Sequence, residues 1–323
     1  MRPTKLRPNT SRCSNLPGLF VLAILLVAFL PTRSMAQQHG QKTFSSPEEA
    51  SSALVAATQE NDERAMIEIL GLDAKRIVSS GDEVEDAANR ANFVQKYKEM
   101  HRVVRESADV AVLYIGGENW PTPIPLVNKG KLWYFDTEAG KQEILFRRIG
   151  RNEMSAIRVC QELVFAQKEH RTAHNGEYSR QIFSDEGQHN GLFWNSTGFE
   201  PQSPVGPLVA AAAAKGHDTG QTAMPFRGYY FELITRQGKN APGGAKEYIV
   251  NGKMTGGFAF LAYPAEYRSS GVMTFIVDED GVVMQKDLGS KTDVADKFMK
   301  TYNPDSSWQK VEVHETADNE MPE

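Results

Sequence analysis

The sequence predicts an α+β fold in which helices pack on curled antiparallel sheets, organised as two units joined by a long helix. Three observations carry this. Helical segments followed by short β-rich runs fill residues 44–136. A sustained helical pattern then runs from about Glu138 to His170. A second set of strands separated by turn residues follows it.

The order begins upstream of the fold. Leu19 to Leu30 is an unbroken apolar run preceded by Arg2, Lys5, Arg7 and Arg12 and followed by Ser34-Met35-Ala36. Basic region, short apolar core and small-residue site read as a secretory signal peptide over 1–36, cut near Ala36. Twelve apolar residues fall short of the roughly 20 that span a bilayer, so no membrane span is expected after cleavage. The expected location is periplasmic or secreted.

Removing 36 of the 323 residues leaves 287, and removing five basic residues with no acid takes the net charge from −5 to −10. That field repels nucleic acid. Cys13 leaves with the leader, so Cys160 has no intramolecular partner and the fold rests on its apolar core. Ile157, Cys160 and Val164 share a helical stripe, which reads as packing.

Residues 37–43 read as a polar, flexible linker. Ser46-Pro47-Glu48-Glu49 starts a helix with Ala50, Leu54 and Ala57 inward. Asn61-Asp62 starts a second, which stops at Gly71. A third follows Ser80-Gly81-Asp82 and carries Ala87, Ala91, Phe93, Val94 and Tyr97. Strands are expected around Val103-Val104, Val110–Ile115, Ile124–Val127 and Leu132–Phe135, with Asn128 to Lys131 as a hairpin turn. The prolines at 121, 123 and 125 confine Trp120 to Pro125 to an edge or a loop.

From Asp136-Thr137 the helical pattern resumes, with an expected break near Gly150, a fresh cap at Asn152-Glu153, and one apolar face formed by Met154, Ile157, Cys160, Leu163 and Val164. Residues 175–220 are irregular apart from an Ala-rich helix over 208–214. Strands are expected over 228–234, 247–250, 258–263, 273–277 and 282–286, then a short helix over 293–299. The back unit ends near 310, and 311–323 form an acidic tail expected to be disordered.

Phe44 to Trp308 resembles an uncharacterised bacterial family catalogued as domain of unknown function 2950. The likeness rests on Asn119-Trp120-Pro121, Pro123 to Val127, Glu143-Ile144-Leu145 with Arg147 to Glu153, Gly228 to Phe231, Ala241 to Ala245, Asn251-Gly252 and Ser270 to Phe275. It brings no known activity. The back half, from Met154 to Gly281, is also similar to the globular part of type IV pilin-like proteins. The apolar stretch that a pilin joins directly to its helix is here more than a hundred residues upstream, so polymerisation as a pilin is not implied. The front half resembles nuclear-transport-factor-2-like domains in element order.

Motifs for chemistry are sparse. His170 and His174 have the i, i+4 spacing of shared metal ligands, but Arg171 stands where a zinc peptidase needs Glu. Asp278 to Gly281 reads as a hairpin turn rather than a calcium loop, since position 289 is Gly. No nucleophile elbow, phosphate loop, dinucleotide fingerprint or Cys-x-x-Cys occurs. No cofactor is expected.

The candidate interaction patch is Arg147, Arg148 and Arg151 with Trp120. Guanidinium groups could hold a carboxylate or phosphate, whereas the i+4 steps from Glu143 to Arg147 to Arg151 also suit a helix-surface ladder. The leading expectation is a non-enzymatic envelope protein that contacts another envelope protein. The alternative is a small-ligand binder or hydrolase using a pocket on the concave face of the front sheet, lined by Trp133, Tyr114 and a buried carboxylate or histidine.

Overall fold

The structure, a computed structural model, describes residues 38–79, 81, 83–196, 202–213 and 223–312. The signal peptide expected over 1–36 and the acidic tail expected over 311–323, apart from residues 311 and 312, lie outside the described residues.

Helix α1 (Pro47–Gln59) starts where Ser46 Oγ accepts from Glu49 N at 3.1 Å. Helix α2 (Glu63–Leu70) starts where Asp62 Oδ1 accepts from Ala65 N at 2.9 Å. Both are side-chain caps that satisfy free helix-end donors. Gly71 ends α2 at φ +91°, a backbone region open to glycine. A 3-10 turn (Leu72–Ala74) and α3 (Lys75–Val78) follow, neither legible beforehand, and α4 (Glu83–Glu99) leads into the sheet.

The front sheet is antiparallel: β1 (His101–Arg105), β2 (Val110–Ile115), β3 (Trp120–Pro121), β4 (Leu126–Lys129) and β5 (Leu132–Phe135), in the order β1-β2-β4-β5. β3 and β4 share one edge of β2. Tyr114 and Ile115 pair with Pro121 and Trp120, and Val110 and Ala111 pair with Val127 and Leu126. The proline segment is therefore a two-residue edge strand followed by loop. Gly130 and Lys131 both take positive φ, as a two-residue hairpin turn requires. Ala111, Leu126 and Phe135 point from the sheet into a core with Ala50, Met66 and Ile69 from the helices.

Helix α5 (Thr137–Ala173) begins at the Asp136 cap and runs 37 residues, a length of about 55 Å. The expected break at Gly150 does not occur. Gly150 is exposed with no neighbour near its missing Cβ, and glycine there costs only about 1 kcal/mol, which packing on either side outweighs. Gly140 differs. A Cβ there would lie 2.6 Å from Ile124 Cγ1 and 3.1 Å from Ile124 Cα, so glycine lets the helix seat on the front sheet. Two alanine substitutions in one helix should therefore have opposite signs. Gly150→Ala is expected to stabilise by about 0.5–1 kcal/mol. Gly140→Ala is expected to destabilise by about 1–2 kcal/mol, overpacking exceeding the propensity gain. Urea unfolding of both variants checks this.

The back sheet holds a second core. After α6 (Pro207–Ala212) come β6 (Tyr229–Ile234), β7 (Arg236–Gln237), β8 (Lys246–Glu247), β9 (Ile249–Val250), β10 (Lys253–Met254), β11 (Ala259–Pro264), β12 (Met273–Asp278), β13 (Met284–Asp287) and β14 (Gln309–Lys310). The five-stranded antiparallel sheet has the order β14-β13-β12-β11-β6, and two-stranded ribbons β7-β8 and β9-β10 flank it. α5 packs on β11 and β12, with Ile157, Cys160, Leu163 and Val164 in the same core as Phe231, Phe260 and Phe275. Met154, expected on that face, is instead 46% exposed. The expected helix over 293–299 is realised as 3-10 turns over Gly289–Lys297.

Among the described residues no helix is long and apolar enough to cross a membrane. Cys160 is fully buried, and burial pushes its thiol up to about 12, which keeps it in the unreactive protonated form.

Candidate functional site

Helix α4 packs against β1 and β2 of the front sheet and leaves a space bounded by α1 to α3 and the sheet. The result is a cavity of about 360 Å³, within the size range of small-molecule sites. β2 contributes Leu113 and Ile115, β3 contributes Trp120, and the proline segment contributes Thr122, Pro123 and Ile124. Phe135 closes the floor. Leu54, Met66, Leu70 and Val78 come from α1 to α3, and Phe93 comes from α4.

Polar groups sit at defined points on this apolar wall. Asp86 is only 7% exposed and accepts from Ser79 Oγ at 3.2 Å. Arg90 donates Nε to Asn61 Oδ1 at 2.9 Å and lies 3.8 Å from Glu63. Lys96 has a side chain 19% exposed, and among the described residues its ammonium is paired only with Glu118, at 3.9 Å. Thr122 Oγ1 is buried with no hydrogen-bond partner. A buried hydroxyl without a partner costs about 1–3 kcal/mol. A second recess of about 410 Å³, between the end of α1 and α4, shares Thr58 and Arg90 but lacks the aromatic wall.

A cavity is thus present between the helices and the front sheet, with a different lining from the one expected. Tyr114 alternates away from Leu113 and Ile115 and lies on the outer face, under the Arg102 guanidinium at 4.8 Å. Trp133 is buried, but its strand position pairs with Phe44 rather than opening onto the cavity. The carboxylate is Asp86. Sequence reasoning missed Asp86, Lys96 and Thr122. The first two share the α4 stripe of Phe93 at i, i+7 and i+10, a signal that the helix periodicity did contain.

The candidate patch is partly drawn together. Arg147 stacks 5.3 Å from the Trp120 ring, donates Nε to Glu143 at 2.8 Å and donates Nη1 to Pro121 O at 2.8 Å. Arg148 turns the other way and donates to Ser269 O at 3.1 Å. Arg151 is half-buried and makes no hydrogen bond or ion pair among the described residues. Two adjacent arginines therefore tie α5 to the front sheet and to the back unit.

His170 and His174 stack at 3.8 Å, and Nδ1 of each donates to a carbonyl, Glu177 O at 3.1 Å and His170 O at 2.9 Å. Burial first, and His174 beside it, hold the His170 imidazole below its ordinary 6.5. The unfolded chain then binds more protons across that window, so this contribution is complete above pH 6.5 and is lost as pH falls through the folded value. His170→Gln should flatten the fall in Tm between about pH 7.5 and 5, measured by calorimetry. Asp278 to Gly281 forms the expected tight turn, with Gly281 N donating to Asp278 O at 3.0 Å.

Together these features define a mixed α+β protein with an apolar cavity between a helix and an antiparallel sheet. The model of the family described as "Protein of unknown function (DUF2950)" matches residues 41–311, so the chain belongs to that family. No curated protein and no solved structure matches it.

Proposed function

We propose that this is an exported, non-enzymatic binding protein of the cell envelope that holds a small, largely apolar molecule under α4. The observation that carries the reading is the cavity itself, about 360 Å³ with a largely apolar wall. Export is supported by the leader sequence over 1–36.

N-phenyl-1-naphthylamine, a neutral dye that brightens in apolar sites, should bind the purified protein at micromolar concentration. Leu113→Trp, which fills the cavity, should weaken binding at least about tenfold while circular dichroism stays unchanged. A dye that ignores the protein, or binds a folded Leu113→Trp variant equally, overturns the proposal.

A second reading, contact with another envelope protein through Arg147, Arg148, Arg151 and Trp120, is favoured by Phe146 and Met154. They are 63% and 46% exposed at i, i+8 on the solvent face of α5 beside the arginines. Capture of an envelope partner by the wild type, lost on Arg148→Glu/Arg151→Glu, tests it. The likeness of the back half to pilin-like domains fits this role, and it is supported by the order of long helix, irregular segment and antiparallel meander.

A further inference from the structure

We infer that the molecule held under α4 is a single-chain amphipathic carboxylate of the fatty-acid type, with its head at Lys96 and its chain running toward Asp86; this rests on the cavity being a binding site. The charged side chains on the wall are Asp86, Arg90 and Lys96, a net positive lining in a chain whose formal charge is −5. Their states of satisfaction differ. Asp86 is hydrogen-bonded by Ser79, and Arg90 is held by Asn61 and Glu63. Lys96 is mostly withdrawn from water, and its one counter-charge, Glu118, lies at the outer limit of an ion pair. A poorly paired, partly desolvated ammonium favours an incoming anion.

Lys96 O accepts from Gly116 N at 3.0 Å, which sets Lys96 just beyond the end of β2 whose Leu113 and Ile115 line the cavity. Asp86 and Lys96 are ten residues apart on α4, about 15 Å along the axis; between them α4 lines the cavity with Asn89, Arg90, Asn92 and Phe93, while Leu113, Ile115, Ile124 and Phe135 supply apolar wall. That length and polarity suit an extended alkyl chain, with Asp86 repelling a second anionic group.

The test uses the full exported chain, the naphthylamine dye as reporter, and three displacers of equal chain length: dodecanoate, dodecanol and dodecyltrimethylammonium. Dodecanoate should displace the dye at a concentration at least about tenfold lower than the other two, a ratio equal to about 1.4 kcal/mol. Lys96→Met should erase that preference while dye binding persists. Glu118→Gln, which removes the competing carboxylate, should tighten dodecanoate binding about threefold. A purely structural lysine would not give that gain. Equal displacement by all three, preference for the cation, or an undiminished preference in Lys96→Met overturns the carboxylate assignment and leaves the cavity reading standing. Failure of the dye itself to bind overturns both.

Discussion

Replacing Gly271 by alanine is expected to lower the unfolding free energy by about 2–3 kcal/mol, the upper part of the range for overpacking a rigid site. A Cβ at this position would run into Tyr229 Oη and lie 2.6 Å from Cζ and 2.7 Å from Cε2. Tyr229 has nowhere to retreat. It is fully buried, its ring lies 5.8 Å from Phe275, and its hydroxyl donates to Met273 O at 2.8 Å. Burial pushes that phenol far above its ordinary value, so it stays a donor at any working pH. Tyr229→Phe removes the nearest clashing atom. The double variant should therefore recover part of the loss, giving a coupling energy of about 1 kcal/mol in a double-mutant cycle by urea unfolding. Strict additivity of the two changes would contradict the argument.

Glu153→Ala is expected to cost about 2–4 kcal/mol. Glu153 Oε1 accepts from Val272 N at 2.9 Å and Met273 N at 3.0 Å. Hydrogen bonds to a charged acceptor contribute roughly 1.5–3 kcal/mol each, and the half-buried setting discounts their sum. The contact belongs to a longer brace. Asn152 Nδ2 donates to Ser270 O at 2.8 Å and Arg148 to Ser269 O, so α5 grips the backbone of Ser269, Ser270, Val272 and Met273. Glu153→Gln keeps a carbonyl acceptor and should lose about half as much. The expected readout is a lowered urea midpoint with an unchanged slope. A changed slope with an unchanged midpoint would mean that the brace acts on the unfolded chain instead.

Local chemistry made much of the fold legible. Caps at Ser46, Asp62 and Asp136, the hairpin turn at Gly130-Lys131 and the turn at Asp278 to Gly281 depend on side chains and backbone freedom within a few residues, and each stands where its residues indicate. The stripe of Ile157, Cys160 and Val164 likewise announces its own burial. Gly140 and Gly150 mark the limit. They are chemically identical signals in one helical run, and only the approach of Ile124 makes one a packing requirement and leaves the other an exposed, tolerated weakness. The same limit applies to Met154, which has the right period for the core but lies where no neighbour covers it.

The site divides along the same line. Trp120 and the arginines were recognisable as unusual residues. Which residues line the cavity depends on strand parity and on how far α4 stands off the sheet, and this turns Leu113 and Ile115 inward and Tyr114 outward. By itself the sequence determined the mixed α+β class, the order of the elements and their caps, because these are set by periodicity and short-range hydrogen bonding. Only the tertiary structure decided that α5 runs unbroken, that Arg147 and Arg148 tie it to opposite sides, and that Thr122 and Lys96 line one cavity. Such features arise from contacts between residues far apart in the chain, whose energies no local pattern contains.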